Sequence, residues 1–154
     1  MKGLYSNMEQ IVISFIGSLA PAIYFNASKR NLIWAGLAGV AGWSIYILLF
    51  KNTGDIVLSA FVGALSIGLY SEIMARVLKT PATVYTLPGI FTIVPGVPAY
   101  NTIEYIVKHD LVKAGSTAIE TIASAAAIAF GIMLMSAAFR LFTRKPKKNI
   151  PLKQ

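Results

Sequence analysis

The sequence has no cysteine, one histidine and few charges. Without cysteine there is no disulfide scaffold, no iron–sulfur cluster and no thiolate zinc site. His109 stands beside Asp110, and one histidine without companions makes a poor metal ligand set. No cofactor is expected. Charged residues are 13% of the 154, against roughly a quarter in an average soluble domain. So few charges cannot cover a globular surface, whereas a bilayer meets most side chains with lipid. A nucleophile constellation, a phosphate loop and a nucleotide fingerprint are also missing. The chain is therefore not read as an enzyme. There is no basic stripe with interleaved aromatics either, so the net charge of +8 reads as topology and not as a nucleic-acid site.

What is present is apolar sequence, 56% of the residues, gathered into runs. A span needs about 20 mostly apolar residues at 1.5 Å rise. The expectation is an all-α integral membrane protein, one domain over residues 1–142, followed by a basic cytoplasmic tail at 143–154. About five spans fit, near residues 9–26, 32–50, 56–78, 83–107 and 117–142. The first is short and contains Pro21. A cleaved signal peptide is its rival reading, since Lys2 precedes a short apolar core and small residues flank Pro21. Glu9 lies at the wrong end of such a core, and Lys29 and Arg30 follow it.

Loop charge sets the orientation. With five crossings and the amino terminus outside, Lys29, Arg30, Arg76, Lys79 and six basic residues from Arg140 onward face the cytoplasm, ten in all. Lys2, Lys51, Lys108 and Lys113 lie outside. A re-entrant fourth segment would leave six inside and eight outside. The positive-inside rule prefers the crossing. Small residues recur at four-residue spacing: Ser14, Ser18 and Ala22; Ala35 with Gly39 and Ala38 with Gly42; Ala60, Ala64 and Gly68; Ala123, Ala127 and Gly131. Such stripes let helix backbones approach closely where no hydrophobic effect drives association.

The fourth segment carries the chemistry. Pro88-Gly89 and Pro95-Gly96 stand seven residues apart, with Pro98 close behind. Each proline lacks an amide hydrogen and costs about 3 kcal/mol in a helix interior. The span is expected to be broken by Pro88-Gly89 and by Pro95-Gly96-Val97-Pro98, with a restart at or near Pro98. The restarted helix would turn the amides of Ala99, Tyr100 and Asn101 and the positive end of its dipole inward, a setting that attracts a carboxylate. Freed backbone at that depth is tolerable only in protein or beside a water-filled cavity. The candidate binding set is Pro95, Gly96, Pro98, Ala99, Tyr100, Asn101 and Thr102. A packed structural kink without ligand is the competing account. Ionisable residues in spans are the second pointer. Glu72 and Arg76 sit one turn apart in the favourable order for a helix pair. That pair is either structural or a proton-coupling gate. Glu104 either carries a proton or snorkels outward. Glu120 opens the fifth span and reads as interfacial.

Ser71-Glu72, Ala75-Arg76-Val77-Leu78-Lys79 running into Pro81-Ala82, Pro88-Gly89, and Val94-Pro95-Gly96 followed by Tyr100 resemble the threonine/serine exporter family. Upstream, Tyr24-Phe25-Asn26, Lys29-Arg30, Ala35-Gly36-Leu37 and Gly42-Trp43 are similar to the opening of the same domain, and Ala125 to Gly131 to its last span. The resemblance covers residues 15–142. It implies the small separate subunit of a two-chain exporter in the bacterial inner membrane, with a larger partner of about five spans from the same family. It implies efflux of threonine and serine as small amino-acid substrates, driven by the proton motive force. Some split pairs of this family are associated with dicarboxylate (succinate) export. The sequence departs from the commoner pattern at Val97-Pro98, where another glycine is expected, and this leaves the substrate more open than the family. A non-transporting scaffold for a partner is the reading from another class. A homo-oligomer also stays open.

Overall fold

The computed structural model describes residues 2–143, with side chains from residue 8 to residue 141. The described residues form six helices and no strand: α1 (Lys2–Tyr24), α2 (Lys29–Thr53), α3 (Ile56–Leu78), α4 (Thr83–Ile90), α5 (Gly96–Val107) and α6 (Leu111–Thr143). The chain is an all-helical membrane protein, as its composition requires. Three helices, α2, α3 and α6, are long and apolar enough to cross a bilayer. Within the described side chains, Met8–Tyr24 is a shorter apolar helix. The tail beyond Thr143 lies outside the described residues.

Small residues draw α1, α2 and α3 together. Ser14, Ser18 and Ala22 of α1 are buried, as are Ala35, Ala38, Gly39 and Gly42 of α2 and Ala60, Ala64 and Gly68 of α3. Their loss of bulk lets backbone polar groups take side-chain donors across the interface. The Ser18 hydroxyl donates to Ala35 O at 2.7 Å. On α6 the buried residues are Ala114, Ser124, Ile128 and Gly131; Gly131 belongs to the expected stripe, but Ser124 and Ile128 stand in place of Ala123 and Ala127. The reason is Ile128, which packs beside Ala60, Ala64, Ile67 and Ile93, a contact that small-residue spacing alone does not reveal.

α6 runs parallel to α3. Phe130 stacks on Phe61 with centroids 6.0 Å apart, Gly131 lies against Ala64, Gly68 against Met135, and the Arg76 guanidinium sits 4.5 Å over the Phe139 ring. Parallel neighbours need a connection that crosses back, and the α4–α5 segment supplies it. α4 lies in the groove of α1, α2 and α3, whereas α5 packs on α6.

The break differs from the expected one in two details. Pro88 sits inside α4 and is buried there with Gly89. An eight-residue helix tolerates it, because the missing amide deprives only the Val84 carbonyl of its helical partner. Helical turns then tighten, with Thr92 N donating to Gly89 O and Ile93 N to Ile90 O. The chain restarts at Gly96, two residues before Pro98. Consequently the Ala99 amide already donates to Pro95 O at 3.1 Å, and it is not one of the free amides the sequence suggested.

Candidate functional site

The broken segment forms one wall of a cavity of about 390 Å³, within the usual range for small-molecule sites. Residues 92–98 and Asn101 supply that wall. Trp43 and Tyr46 of α2, Ile56 and Ala60 of α3, and Thr117, Glu120 and Ser124 of α6 supply the others. Thr92 anchors the break to the bundle, since its hydroxyl lies 2.7 Å from Gly89 O and 3.3 Å from Gly39 O. The Thr102 hydroxyl has two acceptors, Pro98 O at 2.8 Å and Thr117 Oγ1 at 3.0 Å. It ties the first turns of α5 to α6.

Three features give the cavity its polarity. First-turn amides of a helix lack intrahelical acceptors. Here Gly96 N donates to Val94 O, Ala99 N to Pro95 O, and Pro98 has no amide hydrogen. That leaves Val97 N–H and the positive end of the α5 dipole. Second, Asn101 on the break side and Thr117 and Ser124 on α6 bring uncharged polar side chains to the lining. Third, Glu120 is the acidic side chain of the lining. Its backbone oxygen accepts from Ser124 Oγ at 2.8 Å, while its carboxylate takes part in no ion pair formed by the described residues.

Of the residues singled out from sequence, Pro95, Gly96, Pro98 and Asn101 meet at the cavity. Ala99, Tyr100 and Thr102 do not line it, and Tyr100 is 67% exposed on the far side of α5. Glu104 pairs with Lys108. Glu72 pairs with Arg76 at 3.0 Å, and Arg76 also donates to Glu72 O at 2.6 Å. Glu72 lies twelve residues along α3 from Ala60, roughly 18 Å at 1.5 Å per residue, so this pair is separate from the cavity. Trp43, Tyr46, Thr92, Thr117, Glu120 and Ser124 were not anticipated as site residues. A signal for three of them existed: Thr117, Glu120 and Ser124 recur at helical spacing on one face of α6.

Charges at the α5–α6 turn neutralise one another. Lys113 Nζ lies 3.0 Å from Asp110 Oδ2, and Lys113 N donates to Asp110 Oδ1 at 3.2 Å. The Lys113 ammonium, and then its amide, hold the Asp110 carboxyl below its ordinary range; Asp110 in turn raises Lys113. Lys108 is raised likewise by the hydrogen bond to Glu104.

A second cavity, about 530 Å³, lies at the other end of α4. Asn26, Ser28, Asn31, Thr80 and Thr83 give it hydrogen-bonding groups. α4 stands between the two, with Tyr85, Pro88 and Gly89 buried in the bundle.

Residues 10–138 match the family described as Threonine/Serine exporter, ThrE. This chain belongs to the threonine/serine exporter family. The match runs from α1 to the last turns of α6 and includes the break and every wall of the cavity. A threonine/serine exporter from Corynebacterium glutamicum is 27% identical over 145 residues, 94% of this chain and 29% of that protein. The chain thus spans less than a third of the length of that exporter. No solved structure matches it. Family and apolar helices together make it a multi-pass membrane protein.

Proposed function

We propose that the chain is the membrane subunit of a secondary transporter that exports threonine and serine and binds them in the cavity beside the break. The observation that supports this reading is a broken segment lining a cavity that carries the Glu120 carboxylate with Asn101, Thr117 and Ser124. Broken helices near the bilayer midplane form substrate sites in many secondary transporters, with a helix amino terminus facing the substrate carboxylate. The related Corynebacterium protein is named for the same substrates. Its greater length fits a larger partner from the same family completing the transporter. The proposed setting is the bacterial inner membrane, with the amino terminus outside, the carboxyl terminus cytoplasmic and α4–α5 crossing as the fourth of five spans. Export is then driven by the proton motive force. Glu72 with Arg76 serves as a cytoplasmic anchor, and Glu104, held by Lys108, is not assigned a proton step.

Efflux from cells loaded with a threonine-containing dipeptide tests the site, with this chain expressed together with its larger partner. Asn101→Ala is expected to raise the half-saturation concentration about tenfold, the effect of one lost hydrogen bond to a charged group. Pro98→Ala, which extends helical preference through the restart, is expected to lower the rate. Unchanged rate and half-saturation in both variants, at normal abundance in the membrane, overturn the site. Succinate release in place of threonine or serine overturns the substrate.

A further inference from the structure

We infer that Glu120 binds the substrate's ammonium group, so that the cavity selects zwitterionic amino acids and rejects dicarboxylates. The inference rests on the proposal that this cavity is the substrate site. Its ground is the charge balance of the lining. Glu120 is the acidic side chain there, and the lining contains neither lysine nor arginine. The nearest cations on the adjoining turn are engaged, Lys108 with Glu104 and Lys113 with Asp110. A dicarboxylate entering the cavity therefore meets a carboxylate, with only a helix end of about half a unit charge to offset three negative charges. A zwitterion is matched at both ends. Its carboxylate faces the amino terminus of α5 at Gly96–Pro98, and its ammonium faces Glu120 on the opposing helix.

Two further observations point the same way. The Glu120 carboxylate lines the cavity without forming an ion pair to any described side chain, so it is free to accept from an ammonium, a charge-assisted bond stronger than a neutral one. Asn101, on the break side of the same lining, offers its side-chain amide to a substrate oxygen. An ammonium there pairs its full charge with the Glu120 carboxylate, whereas a hydroxyl in its place makes a hydrogen bond without the ion pair.

Exchange of labelled threonine, which needs no driving force, separates recognition from coupling. Membrane vesicles containing this chain and its larger partner are challenged with serine, with glycerate (serine bearing a hydroxyl where the ammonium was) and with succinate. Serine is expected to compete at least about tenfold better than either acid, the worth of one charge-assisted contact. In Glu120→Gln that preference is expected to collapse about tenfold, and in Glu120→Asp to survive in part. Glycerate or succinate competing as well as serine in the unmodified protein overturns the proposal even if no variant folds. So does an unchanged preference in Glu120→Gln, and so does loss of driven efflux with the preference intact, which assigns Glu120 to proton transfer. If Asn101→Ala alters exchange while Glu120→Gln leaves the preference alone, the cavity stands and the role of Glu120 falls. Should neither variant alter exchange, the cavity itself is the wrong site.

Discussion

A methyl group added at Gly39 would stand 2.4 Å from Ser18 Cβ and 2.7 Å from Thr92 Cγ2. Neither atom is the free end of a flexible side chain, so α1, α2 and the break would have to move apart. Overpacking of this kind costs about 1–3 kcal/mol. Gly39→Ala is therefore expected to lower the thermal midpoint of the detergent-solubilised protein and to weaken transport, because Thr92 positions the cavity wall. Gly17, with nothing within 4 Å of an added Cβ, is the control; Gly17→Ala gains up to about 1 kcal/mol of helix propensity. Equal midpoints for the two variants contradict close packing at Gly39. The same scale explains what of the site was readable. Proline acts on its own backbone, so Pro95 with Gly96 declared the break without tertiary information, whereas Pro88 and Pro98 are taken up in α4 and the first turn of α5. Glu104 and Glu120 look alike in sequence, but their neighbours differ. Glu104 has Lys108 four residues on, whereas the residues three and four away from Glu120 are Ser116, Thr117, Ala123 and Ser124. No cation is within helical reach of Glu120, which leaves its carboxylate for the cavity. Trp43 and Tyr46 were not readable, because only the packing of α2 brings them to the break.

At the scale of elements, Asp55, Gly54 and Lys79 mark helix ends that local chemistry dictates. Asp55 Oδ1 accepts from Leu58 N at 3.0 Å, and Gly54 and Lys79 adopt left-handed conformations at helix ends. The division of labour within the broken segment was not legible. α4 buries Tyr85, Pro88 and Gly89 in the bundle, while α5 has no buried residue and is held to α6. That hairpin depends on its turn. Asp110 accepts the first-turn amide of α6 and pairs with Lys113, which also sits 5.8 Å from the Tyr105 ring. Because the Asp110 carboxyl is held below its ordinary value of 3.8, its contribution is complete above that value and is lost as pH falls through the lower folded-state one. Lys113 is raised above 10.5, so its share is complete below that value and is lost as pH rises through the higher folded-state one. Asp110→Ala should reduce amide-exchange protection at the start of α6 throughout the interval between. The difference from the unmodified protein should shrink on acidification below 3.8. A difference independent of pH would show that the ion pair contributes nothing.

For the whole molecule, the parallel course of α3 and α6 constrains topology more tightly than loop charge does. Two parallel helices that both cross a bilayer require the intervening chain to return through it. The contacts of α4 and α5 run in that sense. Thr80 bonds to Tyr85 at the start of α4, Thr92 reaches Gly39 midway along α2, and Thr102 meets Thr117 near the start of α6. A re-entrant hairpin would have returned α5 toward Thr80. The absence of cysteine makes this directly measurable, since every introduced thiol is then the sole one in the chain. With five crossings, Lys29→Cys and Lys79→Cys fall on one side of the membrane, and Lys51→Cys and His109→Cys on the other. A membrane-impermeant thiol reagent added to intact cells is expected to label Lys51→Cys and His109→Cys. Lys29→Cys and Lys79→Cys should react only after the cells are opened. Labelling of Lys51→Cys but not His109→Cys would make the broken segment re-entrant. The cavity would then open on the side from which α4 enters, and Glu120 would face the cytoplasm in place of the exterior. Labelling of Lys29→Cys and Lys79→Cys alone would invert the whole protein, and with it the direction in which the α5 amino terminus meets its substrate.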